Sequence, residues 1–184
     1  MWINSTKNDI CLRMKKPLYQ EIKEQFGLGP AAHITHVENL RGIIQNGLKS
    51  HKQMQSGQVQ YFDISDASVQ LGREQKVIPG TGLGLHDYVP LYFGWKSPML
   101  MSHQDKNEDI IYLRFSLEIL TTPGTVISDG NARSTNTKFF QFTDIDVLKN
   151  LNPTEKGKKC VMDILQNSGI NKPVKANKGW YYVP

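Results

Sequence analysis

Residues 87–100 read DYVPLYFGWKSPML, and no other segment limits the fold as tightly. Val, Leu, Tyr and Phe fill Tyr88 to Phe93, and these residue types favour a buried strand. Gly94 and Pro98 then end the regular backbone and create a turn. A polar and aromatic turn at the mouth of a buried strand is a common way to build a pocket wall. The plainer reading is an ordinary core strand followed by a loop.

The chain around this strand has 184 residues, enough for one domain with a sizeable core. Its mean hydropathy of −0.44 fits a soluble globular protein, and no apolar run approaches a membrane span. The N-terminal segment lacks the apolar block of a secretory signal. Cys11 and Cys160 are too few for a disulfide framework or a zinc site, which suggests a reducing, cytoplasmic setting. The net charge of +5 permits a nucleic-acid partner without requiring one. Lysines cluster at 156–159 and 172–178, and solvated lysines that keep a protein soluble give the same pattern.

Short elements alternate along the chain. Residues 17–26 predict an amphipathic helix with Pro17 in its first turn, and AAHITH at 31–36 predicts a strand. VENLRGIIQNGL places Leu40, Ile43 and Ile44 on one helical face before the Asn46-Gly47 stop. Residues 48–86 are polar and glycine-rich, with one short helix expected to end near Arg73; such irregular stretches are usually functional or mobile. Strands are predicted at 88–93, 110–118, 124–129 and 138–142, and short helices at 144–151 and 158–166. The closing KGWYYVP is an aromatic strand suited to a sheet edge. The pattern predicts a single α+β domain over residues 1–184, with a mixed or antiparallel central sheet and short flanking helices.

Single polar residues leave the chemistry open. His33 and His36 lack a third ligand at metal-like spacing, and a lone strand histidine is more often structural than catalytic. Ser97 lies outside any GxSxG frame, and neither GxGxxG nor GxxxxGK[ST] occurs. The residues alone point to a basic α+β domain with a pocket and no metal.

Four segments in order are far more specific: HITHVENLRGIIQNGL, the single arginine of LGREQKV, DYVPLYFGWKSPML and SDGNARSTNTKFF. Together they resemble the DarT family, the DNA ADP-ribosyltransferase toxins of toxin–antitoxin systems. The resemblance spans roughly residues 31–184 and leaves 1–30 as an addition or a divergent helix. It implies a small ADP-ribosyltransferase fold that splits NAD at the nicotinamide–ribose bond, without a metal. His33, Ile34 and Thr35 would then hold a ribose, while Asn39, Gly47 and Leu48 shape the NAD cleft. Arg73 would bind the pyrophosphate or orient the reacting ribose, work suited to a permanently charged, bidentate guanidinium. Tyr92 would pack against the nicotinamide or its ribose. Lys96, Met99, Asn131, Arg133 and Lys138 would meet the nucleic acid. Implied partners are single-stranded nucleic acid, with DNA preferred over RNA, and a cognate antitoxin; no membrane is implied.

The chain departs from the family at one place. The family has a late glutamate that faces the positively charged ribose, and KCVMDIL puts Asp163 there. Aspartate keeps the charge but is one methylene shorter, and a misplacement of about 1 Å can cost on the order of a hundredfold in rate. Three readings stand: Asp163 is a shorter catalytic acid, the chain is a weakened relative, or another carboxylate such as Glu155 serves. An impaired member would be a module that binds NAD or nucleic acid without turning it over.

Overall fold

Pairing between strands far apart in sequence organises the chain. The computed structural model describes residues 16–93, 108–150 and the backbone of 163–166. Six strands among the described residues, β1 (Ala31–His36), β2 (Val89–Tyr92), β3 (Ile110–Phe115), β4 (Val126–Ser128), β5 (Phe139–Gln141) and β6 (Asp163–Gln166), form one sheet in the order β3-β1-β2-β6-β4-β5. Every pairing is antiparallel. β1 has neighbours on both edges, matching β3 from Ala31↔Phe115 to His36↔Ile110 and meeting β2 at Ala32↔Tyr92. Five of its six residues are buried, including the polar Thr35 and His36. Buried polar groups in a strand need partners, and both of these have them in the neighbouring segments.

Among the described residues four short α-helices flank the sheet: α1 (Leu18–Phe26), α2 (Leu40–Asn46), α3 (His51–Ser56) and α4 (Ala67–Glu74). Pro17 precedes α1, and Gly27 closes it at φ 64°, a left-handed conformation that favours glycine. Ile22 of α1 is fully buried in the main core with Val89, Leu91, Leu120 and Ile127, and Leu18 and Phe26 pack around it. The N-terminal helix therefore shares the core of the sheet. A 3-10 turn (Val37–Asn39) joins β1 to α2, and the His36 ring accepts the Glu38 N–H to start it.

Residues 48–86 are more ordered than their composition predicts. Ser50 and Gln53 form a reciprocal capping box that starts α3, and the Asp66 carboxylate accepts two backbone N–H bonds to start α4. The short helix predicted at 144–151 forms, as a single 3-10 segment over 145–150, and the one predicted at 158–166 is corrected to the strand β6 over 163–166. β6 fills the slot between β2 and β4, pairing from Val89↔Gln166 to Tyr92↔Asp163 and through Val126↔Leu165. Long-range pairing here overrides a weak local preference. The predicted terminal strand KGWYYVP lies outside the described residues.

Candidate functional site

A cleft of about 730 Å³ opens between the sheet and the segment from α2 to α4. Its size lies within the usual range for small-molecule sites. His33, Ile34, Thr35, Asn39, Gly47, Leu48, Arg73, Tyr92 and Asn131 all line it. Residues from five separate parts of the sequence thus meet in one space. Arg133 and Lys138 do not line it, and Lys96 and Met99 lie outside the described residues. Asp163 takes the register position opposite Tyr92 on the adjacent strand. It stands on a strand, which corrects the short helix predicted for it.

The first wall is the sheet. His33 Nδ1 lies 2.9 Å from the carbonyl oxygen of Pro90, so Nδ1 carries the proton and donates. Nε2 is then left as an acceptor. Burial pushes the His33 pKa below its ordinary value, against the smaller opposing effect of the Pro90 bond. The ring is therefore neutral at neutral pH, able to accept a hydroxyl proton in a hydrogen bond. Ile34 and Leu48 are buried, so they contribute shape. Tyr92 ends β2 where that strand meets both β1 and β6.

The second wall hangs on side chains. The Asn39 amide donates to Phe62 O and accepts from Phe62 N, both at 2.8 Å, and donates to Thr35 Oγ1 at 3.0 Å. One side chain thus fixes residues 61–63 against β1. The Phe62 ring stacks on His36 with centroids 3.8 Å apart and planes 18° apart. Tyr61 and His51 Nδ1 share a hydrogen bond of 3.1 Å, and the His51 ring packs on His86 at 4.3 Å. His86 Nε2 in turn donates to Gln70 Oε1 of α4 at 2.9 Å. Burial, then the neighbouring His51 and Arg73, lower the His86 pKa. Arg73 sits in the last turn of α4 with 8% of its surface exposed.

Beside α4, the loop from Asp129 to Thr137 is fixed through its own backbone. Asn131 accepts from Arg133 N at 3.0 Å, Thr137 Oγ1 donates to Asn131 O at 2.6 Å, and Asp129 accepts from Lys138 N at 2.9 Å. Lys76 reaches across from the end of α4 to the Ser134 carbonyl at 2.5 Å and lies over the Phe139 ring. Burial, and then Arg73, push its pKa down. Gly72 lets Arg133 lie against α4: a Cβ there would stand 3.0 Å from Arg133 Nε. Arg73, Lys76 and Arg133 therefore bring three cations to one end of α4, at the junction of cleft and loop.

Sequence reasoning missed His51, Tyr61, Phe62, Gln70, His86 and Lys76. His51 and His86 stand 35 positions apart with no motif between them, so only the fold joins them. The capping box at Ser50–Gln53 was the one readable signal, since it sets the start of the helix that carries His51. Among the described residues no group of three or more His, Cys, Asp or Glu is placed to hold a metal, and no helix is long and apolar enough to cross a membrane.

The antiparallel sheet and the segments that cover it thus bring an arginine, an imidazole and a tyrosine into one cleft large enough for a dinucleotide. A family model described as "ssDNA thymidine ADP-ribosyltransferase, DarT" matches residues 32–152, and the chain belongs to the DarT family. It is 34% identical over 123 residues to a DNA ADP-ribosyl transferase of Thermus sp., with 61% of this chain and 57% of that protein covered. It is 26% identical over 122 residues to a DNA ADP-ribosyl transferase–DNA ADP-ribosyl glycohydrolase fusion protein of Thermosipho africanus, covering 65% of this chain. That match covers 31% of the fusion protein, so the chain spans between about a third and somewhat over half of these relatives. The structure of Thermus sp. 2.9 DarT in complex with ADP-ribosylated ssDNA superposes with a TM-score of 0.65 at 27% identity, covering 79% of this chain and 78% of that one. The same protein in complex with NAD+ gives 0.60 at 26% identity, covering 77% and 76%.

Proposed function

We propose that this chain is an NAD-dependent mono-ADP-ribosyltransferase that modifies a base of single-stranded DNA, as the toxin of a toxin–antitoxin pair. The observation that carries this reading is the meeting of His33, Thr35, Arg73 and Tyr92 in one cleft of a DarT-family fold. Relatives with the same fold are seen with NAD+ and with ADP-ribosylated ssDNA, which supports both substrates. One relative is fused to a DNA ADP-ribosyl glycohydrolase, an activity of the kind that removes the modification, and this supports a cognate antitoxin of that chemistry. We place the enzyme in the cytoplasm, where NAD and single-stranded DNA coexist, and read its biological role as growth arrest or defence against phage. Residues 1–184 act as one domain in this reading.

The residues divide the reaction between them. The bond that breaks joins the ribose C1′ to the nicotinamide nitrogen, which leaves with the electron pair. Positive charge builds on the ribose, and the lone pair of a base nitrogen forms the new bond at C1′. Arg73 neutralises the pyrophosphate and fixes its position. His33 accepts from a ribose hydroxyl through the nitrogen not committed to Pro90. Tyr92 closes the cleft over the nicotinamide ribose. Asp163, opposite Tyr92 in the sheet, supplies negative charge near the ribose and takes the proton from the base. The Asp129–Thr137 loop, with Asn131, Arg133 and Lys138, presents the strand; Lys96 and Met99 complete that contact. An unpaired base needs no extrusion from a duplex, which favours a single strand.

The test of these roles is transfer of label from radiolabelled NAD to a single-stranded DNA oligonucleotide. Asp163→Ala should reduce transfer by at least about a hundredfold while the protein still binds NAD. Unchanged turnover in that variant would move the carboxylate role to another residue.

A further inference from the structure

Phe62 is an exposed aromatic that the fold holds in place. Its relative exposure is 54%, high for a phenylalanine. Its backbone is fixed at both N and O by the Asn39 amide, each at 2.8 Å. Its ring rests on the His36 imidazole, nearly parallel, at 3.8 Å. His36 is itself buried and fixed by the Glu38 N–H. An aromatic ring that is braced from behind and lines a cleft is a prepared surface for a planar ligand, because little freedom is lost when the ligand stacks.

The position along β1 says which planar group. Tyr92 pairs with Ala32 near the start of β1, with Asp163 one strand further on, whereas Phe62 lies over His36 at the end of β1. Four residue steps along the strand separate the two places, a distance of about 13 Å. His33, Thr35 and Arg73 lie on the cleft walls along with them. Two riboses and a pyrophosphate bridge such a gap. With the reacting ribose at Tyr92, the far base of the dinucleotide falls at Phe62.

We propose that Phe62, backed by His36, is the stacking shelf for the adenine of NAD. The inference rests on the reading of the cleft as an NAD site. A nucleobase from the DNA strand has the same flat face and is the competing occupant. Stacking is insensitive to base identity, so the geometry alone does not read adenine from other bases.

The experiment measures affinity by calorimetry for NAD and for nicotinamide mononucleotide, which lacks the adenylate half. Wild type, Phe62→Ala and Phe62→Trp are compared. Phe62→Ala should weaken NAD about tenfold or more and leave the mononucleotide unchanged, and Phe62→Trp should restore NAD binding. Because the side chain is largely exposed, its loss should leave the melting temperature near that of wild type. Equal weakening of both ligands would overturn the shelf, since it would mean that the loop had moved. Unchanged NAD affinity would overturn it as well, and weakened binding of a single-stranded oligonucleotide alone would assign the ring to a strand base. A wild-type protein that does not bind NAD would remove the underlying function too, whereas loss of the shelf alone leaves it standing.

Discussion

The two walls of the cleft are built by different means. The sheet wall carries His33 and Thr35 on β1 and Tyr92 on β2, strands set by continuous backbone pairing with β3 and β6 respectively. The opposite wall carries Phe62 and Arg73 on a loop and a short helix, tied by side chains: Asn39 to Phe62, Tyr61 to His51, and His86 to Gln70. Backbone pairing is cooperative and distributed, so no single residue controls the sheet wall. The other wall depends on a few hydrogen bonds, each of which one substitution removes. The sheet wall is therefore held by many bonds shared along the backbone, and the covering wall by a few side-chain bonds that single substitutions can remove.

Substitutions on the two walls should therefore show up in different measurements. The largest effect is expected at Arg73, where Arg73→Ala should lower transfer by about a hundredfold to a thousandfold in the labelled-NAD assay. Arg73→Lys should recover little, because an ammonium does not reproduce the planar, bidentate guanidinium. Leu91→Ala, in the fully buried centre of β2, attacks the sheet wall. It should cost about 2–5 kcal/mol of stability by denaturant titration, with little specific change in KM for NAD among the molecules that remain folded.

Asn39→Ala inverts that pattern. It should cost about 1 kcal/mol of stability but raise KM for NAD several-fold, because residues 61–63 lose their tie to β1. A stability loss equal to that of Leu91→Ala, without a change in KM, would erase the distinction between the walls. The smallest effect concerns pH. Burial lowers the His33 pKa in the folded state, so between that value and the ordinary value of about 6.5 the unfolded chain binds more protons. Stability should fall as pH drops below about 6.5 and level off once pH passes the folded-state pKa. Burial lowers the pKa of His86 as well, so His33→Gln should shallow this slope without abolishing it. A variant with the wild-type slope would show that His33 is solvated in the folded protein.

The difference between the walls also explains what the sequence disclosed. Strands declare themselves through local composition, and Ala31–His36, Val89–Tyr92 and Ile110–Phe115 were legible for that reason. Arg73, Tyr92 and His33 were readable because ordered motifs resemble a known family. The tied wall was not readable, because Asn39 and Phe62 are 23 positions apart and their bond depends on the fold. β6 was misread as a helix because its four residues carry little local signal, and its place is set by β2 and β4 on either side. That correction bears on the chemistry, since it brings Asp163 into register with Tyr92. The Phe62 shelf escaped notice for the same reason as the tie that holds it.

The central claim is that this cleft moves ADP-ribose from NAD to single-stranded DNA. Its most direct test is the intact mass of a single-stranded oligonucleotide after incubation with the wild-type protein and NAD. The account predicts a gain of one ADP-ribosyl group on the DNA with release of nicotinamide, and no gain with Arg73→Ala. An oligonucleotide of unchanged mass across varied sequences, with NAD left intact, would contradict it.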